Sequence, residues 1–480
     1  MPAAGVMSRH GGPPYSRRLA AALSRLDALI DWERSVRAAG AHRRMRVSSA
    51  PCGDLLARLG SPQSRLPVAV HITGSKGKGS VAALTAAALS AAGYRTGVTP
   101  NAAHGATVDG STPAAAVPNG RGATHPPVHA AADASWFDVM TAAGFLTLAT
   151  AGVDAAAVEV GLGGALDSTA VLSAPVAVLT NVYDEHAAII GPTLVDIATE
   201  KAGIVARGGR LITGVPPGSA VAAAIERVVR SRRAAGVTYV CLEGDDLSID
   251  ERNAALAGEV LDQLGRNGHS VRRPSAAVGS SGAPPSGSGA ERGGGPISSR
   301  LLDWPGVRAA AAAALPGRME LFSIPLPPVA DAAVAATPPP SATLWVGIDG
   351  GHVPDSVAAA AVTVGARVAD AGGPSAVTVV LGLGMDKDAS GIVAALRGAL
   401  PGITRFVCTT VARSEVYLQT EELAAAVRQM GGNAAVEVAP DPLAALELAL
   451  KRARGGGDVP PSWVLFSGSL HLAGAASKRD

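Results

Sequence analysis

His71-Ile-Thr-Gly-Ser-Lys-Gly-Lys-Gly-Ser80 decides how the rest of this chain reads. An apolar run, 68–72, leads into three glycines, Gly74, Gly77 and Gly79, set around Lys78, and an alanine-rich segment over 81–92 follows. The order is strand, glycine loop, helix. Glycines let successive backbone N–H groups close on an anion, because no Cβ blocks the approach. The helix N-terminus adds favourable partial charge. The whole loop, Gly74, Ser75, Lys76, Gly77, Lys78, Gly79 and Ser80, is therefore the expected cradle for a nucleotide phosphate. Lys78 is expected to reach the distal phosphates and the Ser80 hydroxyl to take magnesium. The pattern G-x-x-x-x-G-K-[ST] is not met literally, because Gly79 separates Lys78 from Ser80.

At 480 residues the chain has room for two or three domains. Hydrophobic residues make up 48% but aromatics only 3%, so the cores must be built from Ala, Val and Leu. A formal net charge of +2 gives no argument for nucleic acid or an anionic membrane surface as partner. Cys52, Cys241 and Cys408, odd in number and widely spaced, fit three ordinary thiols in a reducing compartment, not a disulfide framework or a zinc site. The longest apolar candidate for a membrane span, 139–153, is too short and contains glycine and threonine. Residues 1–26 hold Arg9, Arg17, Arg18 and Arg25 but no Asp or Glu, weakly like an organelle transit segment; alternatively, 17–36 is simply a first helix. Cytoplasm and mitochondrion both stay open.

Residues 105–135 are rich in Ala, Gly, Pro and His without a period, and 272–300 are Ser, Gly and Pro with almost no large apolar residue. Both read as loops or insertions. Around them apolar strands alternate with alanine-rich helices, and 155–160, 176–182 and 210–214 look like buried parallel strands. The alternation resumes after 318 with strands at 343–348, 376–381, 405–409 and 462–466. The expected fold is α/β: a parallel-sheet domain carrying the phosphate loop, then a smaller Rossmann-like α/β domain. The boundaries expected are an N-terminal extension at 1–16, a first domain at 17–315 and a second at 316–480.

Chemistry-bearing residues cluster at the predicted strand ends, which in open α/β sheets face the ligand crevice. Glu159 ends one strand before Val-Gly-Leu-Gly-Gly, where a carboxylate is costly to bury unpaired and suits a magnesium ligand. Asn181-Val-Tyr-Asp-Glu-His186 ends the next, and His186 is placed against metal or phosphate. Lys201 falls in a helical stretch from Thr193, and residue physics leaves open whether it is a surface lysine. Pro316-Gly-Arg318-Met-Glu320 lies at the joint, where Arg318 suits a phosphate clamp that forms on closure. Asp349-Gly-Gly-His352, Asp386-Lys-Asp388 and Ser467-Gly-Ser469 follow three further strands.

With these residues assembled, the chain resembles the folylpolyglutamate synthase and dihydrofolate synthase family of the Mur-ligase superfamily, in order from about residue 20 to 475. Leu59-Gly-Ser-Pro-Gln63 is similar to the family's Leu-Gly-x-Pro-Gln, and 74–80 to its Gly-Thr-Asn-Gly-Lys-Gly-Ser loop. Glu159-Val-Gly-Leu-Gly-Gly164 with Asp167, Glu200-Lys-Ala-Gly-Ile204, Arg252-Asn253-Ala-Ala-Leu-Ala257, Gly-Arg-Met-Glu and Asp-Gly-x-His also fit. The resemblance implies ATP-dependent amide formation between a folate or dihydropteroate carboxylate and L-glutamate through an acyl phosphate, with magnesium. It implies that Lys78 contacts phosphate and that Glu159, His186, Ser80 and Thr99 serve the metal. It further implies that Lys201 matches a carbamylated lysine, that Asn253, Arg318 and Asp349 contact ATP, and that His352 lies near the incoming glutamate. Small-molecule substrates are the expected partners, with no nucleic acid and no membrane, and a monomer is expected.

The chain departs from the family pattern in the acid-substrate half. Thr99-Pro100-Asn101 is a shortened remnant of the family's Ser-Pro-His-Leu loop. Ala165, Ala170, Glu185 and Val353 replace the family's Arg, Asn, Asp and Asn. Two other readings follow from these departures: a non-catalytic nucleotide-binding protein, and a ligase for a different acid.

Overall fold

The computed structural model describes residues 48–99, 107–108, 134–184, 187–240, 247–272, 294–313, 318–325, 343–385, 387–410, 417–430, 432–453, 462–469 and 472–473. The first sheet contains β1 (Val68–Thr73), β2 (Thr96–Thr99), β3 (Thr107–Val108), β4 (Ala155–Glu159), β5 (Val176–Leu179), β6 (Arg210–Thr213) and β7 (Gly236–Tyr239). Their spatial order is β3-β2-β4-β1-β5-β6-β7, parallel except for β3, which runs antiparallel to β2. The second sheet contains β8 (Glu320–Pro325), β9 (Thr343–Ile348), β10 (Val377–Leu381), β11 (Ile403–Thr409), β12 (Ala435–Ala439) and β13 (Trp463–Ser467). Its order is β12-β11-β10-β13-β9-β8, with only β8 antiparallel.

Both sheets are covered on two faces, which is why their central strands read as unbroken apolar runs. Along β1, Val68, Val70 and Ile72 face one core with the helices Lys78–Ala91 and Ile249–Arg266, while Ala69 faces the other with Phe145 and Leu148. The helix Lys78–Ala91 buries Val81, Ala82, Ala83, Thr85, Ala86, Ala88 and Leu89, nearly its whole circumference. Small side chains let three layers approach closely there. β4 is Ala-Ala-Ala-Val-Glu, a poor strand by propensity, but it is held between β1 and β2 and packed from both sides. Close packing also explains Gly97, where an added Cβ would stand 2.3 Å from Leu148 Cδ2.

In the first sheet β1 sits between β4 and β5, so the chain crosses over it and opens a crevice at the strand C-termini. In the second sheet β13 sits between β9 and β10 in the same way.

Several expectations need adjustment. The phosphate-loop helix starts at Lys78, not at 81, because Gly77 in the left-handed region caps it three residues early. The segment 105–135 is not wholly irregular, since Thr107–Val108 pairs with β2. Part of 272–300 is likewise ordered: Ser270 bridges to Pro296, and a 3-10 turn forms at Ser299–Asp303. The stretch at 139–153 belongs to the helix Trp136–Ala151, and no described helix is long and apolar enough to cross a membrane. Cys52 and Cys408 are buried thiols. Residues 17–36, Cys241, Glu185, His186 and Asp386 lie outside the described residues.

Candidate active site

The loop between β1 and its helix is fixed from both sides. Gly74 (φ +143°) leaves no room for a side chain: a Cβ there would stand 1.8 Å from Thr180 Oγ1. The Lys76 carbonyl accepts from Thr180 Oγ1 (2.6 Å) and Asn181 Nδ2 (3.1 Å), and the Lys76 N–H donates to Asn181 Oδ1 (2.8 Å). The Tyr183 N–H donates to Ser75 Oγ at 3.0 Å. The end of β5 therefore splints the loop. Gly77 (φ +83°) turns the chain into the helix, and no side chain caps that helix N-terminus. The N–H groups of Lys78, Gly79 and Ser80, at its first three positions, form the orphan donors to which an anion binds.

Asn253 presses on the loop from the helix Ile249–Arg266. Its Oδ1 lies where a Cβ on Gly77 would come within 2.2 Å, and its buried Nδ2 has no hydrogen-bond partner among the described residues. An unsatisfied buried donor is costly. One beside the glycine loop, 3.5 Å from the Gly77 Cβ position, fits a missing acceptor such as a nucleotide oxygen.

The C-terminal ends of β4 and β2 supply oxygens. Glu159 is buried at the end of β4, and Thr99 pairs in register with Val158 at the end of β2. The buried Thr99 Oγ1 also lacks a partner among the described residues. A carboxylate and an orphaned hydroxyl are the hard donors that magnesium takes while it keeps several waters. Among the described residues no three His, Cys, Asp or Glu side chains gather into a metal cluster, and His186 falls outside them.

Lys201 is buried, not a surface residue, and its Nζ donates to the Gly74 carbonyl at 3.1 Å. Lys78 Nζ donates to the same carbonyl at 3.0 Å. The two ammonium groups border a cavity of about 20 Å³ walled by Thr73, Gly161 and Gly163, enough for about one water. Glu200 holds that wall in place by accepting from the N–H of Gly164 (3.3 Å) and Leu166 (2.8 Å) through Oε1. Asp167 accepts from the Leu162 N–H at 3.0 Å, and burial raises its carboxyl above the ordinary range.

The second domain brings Asp349 and His352 from the loop after β9. Asp349 is buried and accepts from the N–H of Met319 (3.1 Å) and Gly351 (2.6 Å). Burial raises its pKa, opposed by Arg318, those two N–H groups and Lys76. Arg318 is therefore electrostatically coupled to Asp349, although its side chain is exposed. His352 is lowered to about 3, by burial first and then by the charges of Lys76, Lys387 and Arg318. It is a neutral imidazole at physiological pH, with Nδ1 3.1 Å from the Gly350 carbonyl. Arg367 ties the domains together, donating to Met319 O (2.9 Å) and pairing with Asp250 (2.9 Å) on the helix that carries Asn253.

The structure thus brings the 74–80 loop, Asn253 and Lys201 together, and it sets Asp349, His352 and Arg318 within charge range of Lys76. The sequence motifs contain Asn181, Glu200 and Lys387 but give them no role of their own, and Thr180 and Arg367 fall outside every motif. Thr180 and Asn181 were signalled by their place directly after β5, and Glu200 by its place beside Lys201. Nothing in the sequence marks Arg367, which acts across 117 residues.

Residues 72–215 match the model of the Mur ligase middle domain, and residues 336–470 that of the Mur ligase glutamate ligase domain. The chain is 30% identical to the dihydrofolate synthase/folylpolyglutamate synthase of Mycobacterium tuberculosis, over 98% of each chain. It is similar in structure to M. tuberculosis folylpolyglutamate synthase crystallised with ADP and AMPPCP, with a TM-score of 0.63, 26% identity, and 90% of this chain and 96% of that one covered. The fold of E. coli FolC, solved with DHPP and ADP, also matches, with a TM-score of 0.65 at 21% identity, covering 97% and 98%.

Proposed function

The chain belongs to the dihydrofolate synthase/folylpolyglutamate synthase family, and on that premise we propose that it is an ATP-dependent ligase joining L-glutamate to the carboxylate of a folate or of dihydropteroate. The observation that carries the reading is the convergence of the two crevices: Arg367 pairs with Asp250 on the helix that carries Asn253 and donates to the Met319 carbonyl, while the Met319 N–H donates to Asp349. A domain boundary at 315/316 belongs to the same proposal, supported by β8, which starts at Glu320 and pairs only within the second sheet.

A carboxylate is a poor electrophile, so its oxygen first attacks the terminal phosphorus of ATP and ADP leaves. The glutamate nitrogen, entering as a free amine, then attacks the acyl carbon, and inorganic phosphate departs with the C–O electron pair and takes up the proton that the nitrogen loses. The helix N-terminus at 78–80, Lys78 and the Asn253 amide hold the polyphosphate. Lys78 adds a positive charge fixed before the reaction, which favours the transition state for phosphoryl transfer. Magnesium, for which Glu159, Thr99, Ser80 and His186 are the proposed holders, supplies charge to the phosphate oxygens when bound. A carbamate on Lys201 adds an anionic donor beside it, as the family resemblance implies.

Asp349 and Arg318 are proposed to meet the nucleotide from the second domain, whose arrival excludes water. The Gly350 carbonyl beside His352 Nδ1 assigns the proton to that nitrogen, leaving Nε2 as acceptor. His352 then orients the incoming amine by accepting its N–H; lowered to about 3, it is too weak a base to hold the released proton. The reading takes the chain as a monomer acting on small molecules in cytoplasm or mitochondrion. Labelling the acid carboxylate with ¹⁸O tests the proposal: one label per turnover must appear in inorganic phosphate, and unlabelled phosphate refutes the acyl phosphate.

A further inference from the structure

Glu200 precedes Lys201 at the end of the helix Leu194–Ala202, and among the described residues its carboxylate pairs with no cation. Its Oε1 instead accepts from two backbone N–H groups, Gly164 (3.3 Å) and Leu166 (2.8 Å). Its carbonyl accepts from the N–H between them, that of Ala165, at 2.9 Å. Three successive amides of the turn after β4 are thus tied to one residue. The contact is too close for a side chain: a Cβ on Gly164 would stand 2.6 Å from the Glu200 carbonyl oxygen and 2.7 Å from that of Lys201. On its other side the turn is tied to β1, where Thr73 Oγ1 donates to the Gly163 carbonyl at 2.7 Å. Lys201, only 2% exposed, leaves the same helix end and donates to the carbonyl of Gly74, the residue after Thr73. Strand end, turn and helix end therefore form a closed ring, and Glu200 is the side chain that shuts it.

We propose that Glu200 is a positioning residue: by holding the 163–166 turn on the helix end, it fixes the Lys201 ammonium at the Gly74 carbonyl. It touches no reacting atom itself. Its role calls for an acceptor and not for a charge, since both side-chain bonds fall on Oε1, an oxygen that glutamine also carries. Gly163, Gly164, Ala165 and Leu166 have no polar side chain with which to replace it. The kinetic consequence rests on the ligase reading, in which Lys201 acts beside the polyphosphate. There a displacement of about 1 Å costs up to about 100-fold in rate.

The test compares Glu200→Ala and Glu200→Gln in the full chain, without nucleotide or metal, by acylating lysines with an N-hydroxysuccinimide ester and locating the label by mass spectrometry. Half-buried Lys78 is the internal reference. Glu200→Ala should label Lys201 about tenfold faster or more than wild type, with Lys78 within about twofold. General loosening would speed both. Glu200→Gln should stay within about threefold of wild type at Lys201. In turnover, Glu200→Ala should lose about tenfold or more in kcat while KM for ATP moves by less than about threefold, and Glu200→Gln should restore kcat. Glu200→Asp, one carbon short of the turn, takes the place of the alanine variant if that fails to fold. Unchanged Lys201 labelling in the shortened variant overturns the proposal. So does a glutamine variant as impaired as the alanine one, which would give the role to the charge. If the wild-type chain shows no turnover, the ligase reading fails by itself, and the labelling still decides whether Glu200 positions Lys201.

Discussion

Replacing Gly77 by alanine should cost both stability and nucleotide binding, and the two contributions to the stability loss can be separated. Gly77 holds φ +83° and ψ −4° at the start of the helix Lys78–Ala91, a left-handed conformation that costs an alanine about 1–2 kcal/mol. The new Cβ would also stand 2.2 Å from Asn253 Oδ1. Asn253 is only 4% exposed, so its side chain has no solvent to retreat into. Overpacking of this kind costs about 1–3 kcal/mol more. Gly218 supplies the control, with φ +80° and no atom within 4 Å of its Cβ position. Gly218→Ala therefore incurs the conformational cost alone. At about 1–2 °C per kcal/mol for a unit of this size, Gly77→Ala should melt at least about 1 °C below Gly218→Ala. ADP titration should show the Gly77 variant without measurable binding and the Gly218 variant unchanged. Equal melting temperatures together with retained ADP affinity would refute the packing of Asn253 against the phosphate loop.

Lys78→Ala should abolish nucleotide turnover while the melting temperature stays near wild type, because the residue opens the helix Lys78–Ala91 from a half-buried position that alanine suits; unchanged turnover removes the phosphate-loop assignment. His71 is fully buried on β1 and lowered to about 3 by desolvation, so the unfolded chain binds the extra proton between about pH 3 and 6.5. That contribution to stability is complete above pH 6.5 and is lost as pH falls toward 3. His71→Leu should accordingly flatten the melting-temperature profile between pH 6.5 and 4, and an unchanged slope contradicts the neutral buried imidazole. The Arg367–Asp250 pair bridges the domains with both side chains nearly half exposed, so a double-mutant cycle should give a coupling below about 1 kcal/mol; a larger coupling would show that the pair is shielded from water. Burial pushes the Cys408 thiol up to about 12 and that of Cys52 higher still, so neither should react with a thiol reagent before unfolding.

The sequence made the sheets legible wherever burial is two-sided. Val68–Thr73, Thr343–Ile348 and Val377–Leu381 are nearly unbroken apolar runs, and they were found within a residue or two. Of the strands not foreseen, Thr107–Val108, Gly236–Tyr239, Ala435–Ala439 and Glu320–Pro325 are at sheet edges, where half-exposure removes the pattern, and Thr96–Thr99, inside the first sheet, is only four residues with a glycine among them. Within the site, residues that follow strand ends were legible because topology sends those ends to a crevice. Lys201 was legible only through the family resemblance: whether a helical lysine is buried depends on which face packs, and here the Gly74 carbonyl accepts from it. The interdomain bridge of Arg367 was illegible for a similar reason, since contact across 117 residues leaves no local trace.

The account's central claim is met most directly by glutamate-dependent ADP release from the purified chain, with dihydropteroate and tetrahydrofolate offered separately. The account predicts release with at least one of the two acids and none when glutamate is omitted. ATP binding without release on either acid would contradict it, and would show that the chain's departures at Thr99-Pro100-Asn101 and at Val353 have cost it this substrate or the reaction itself.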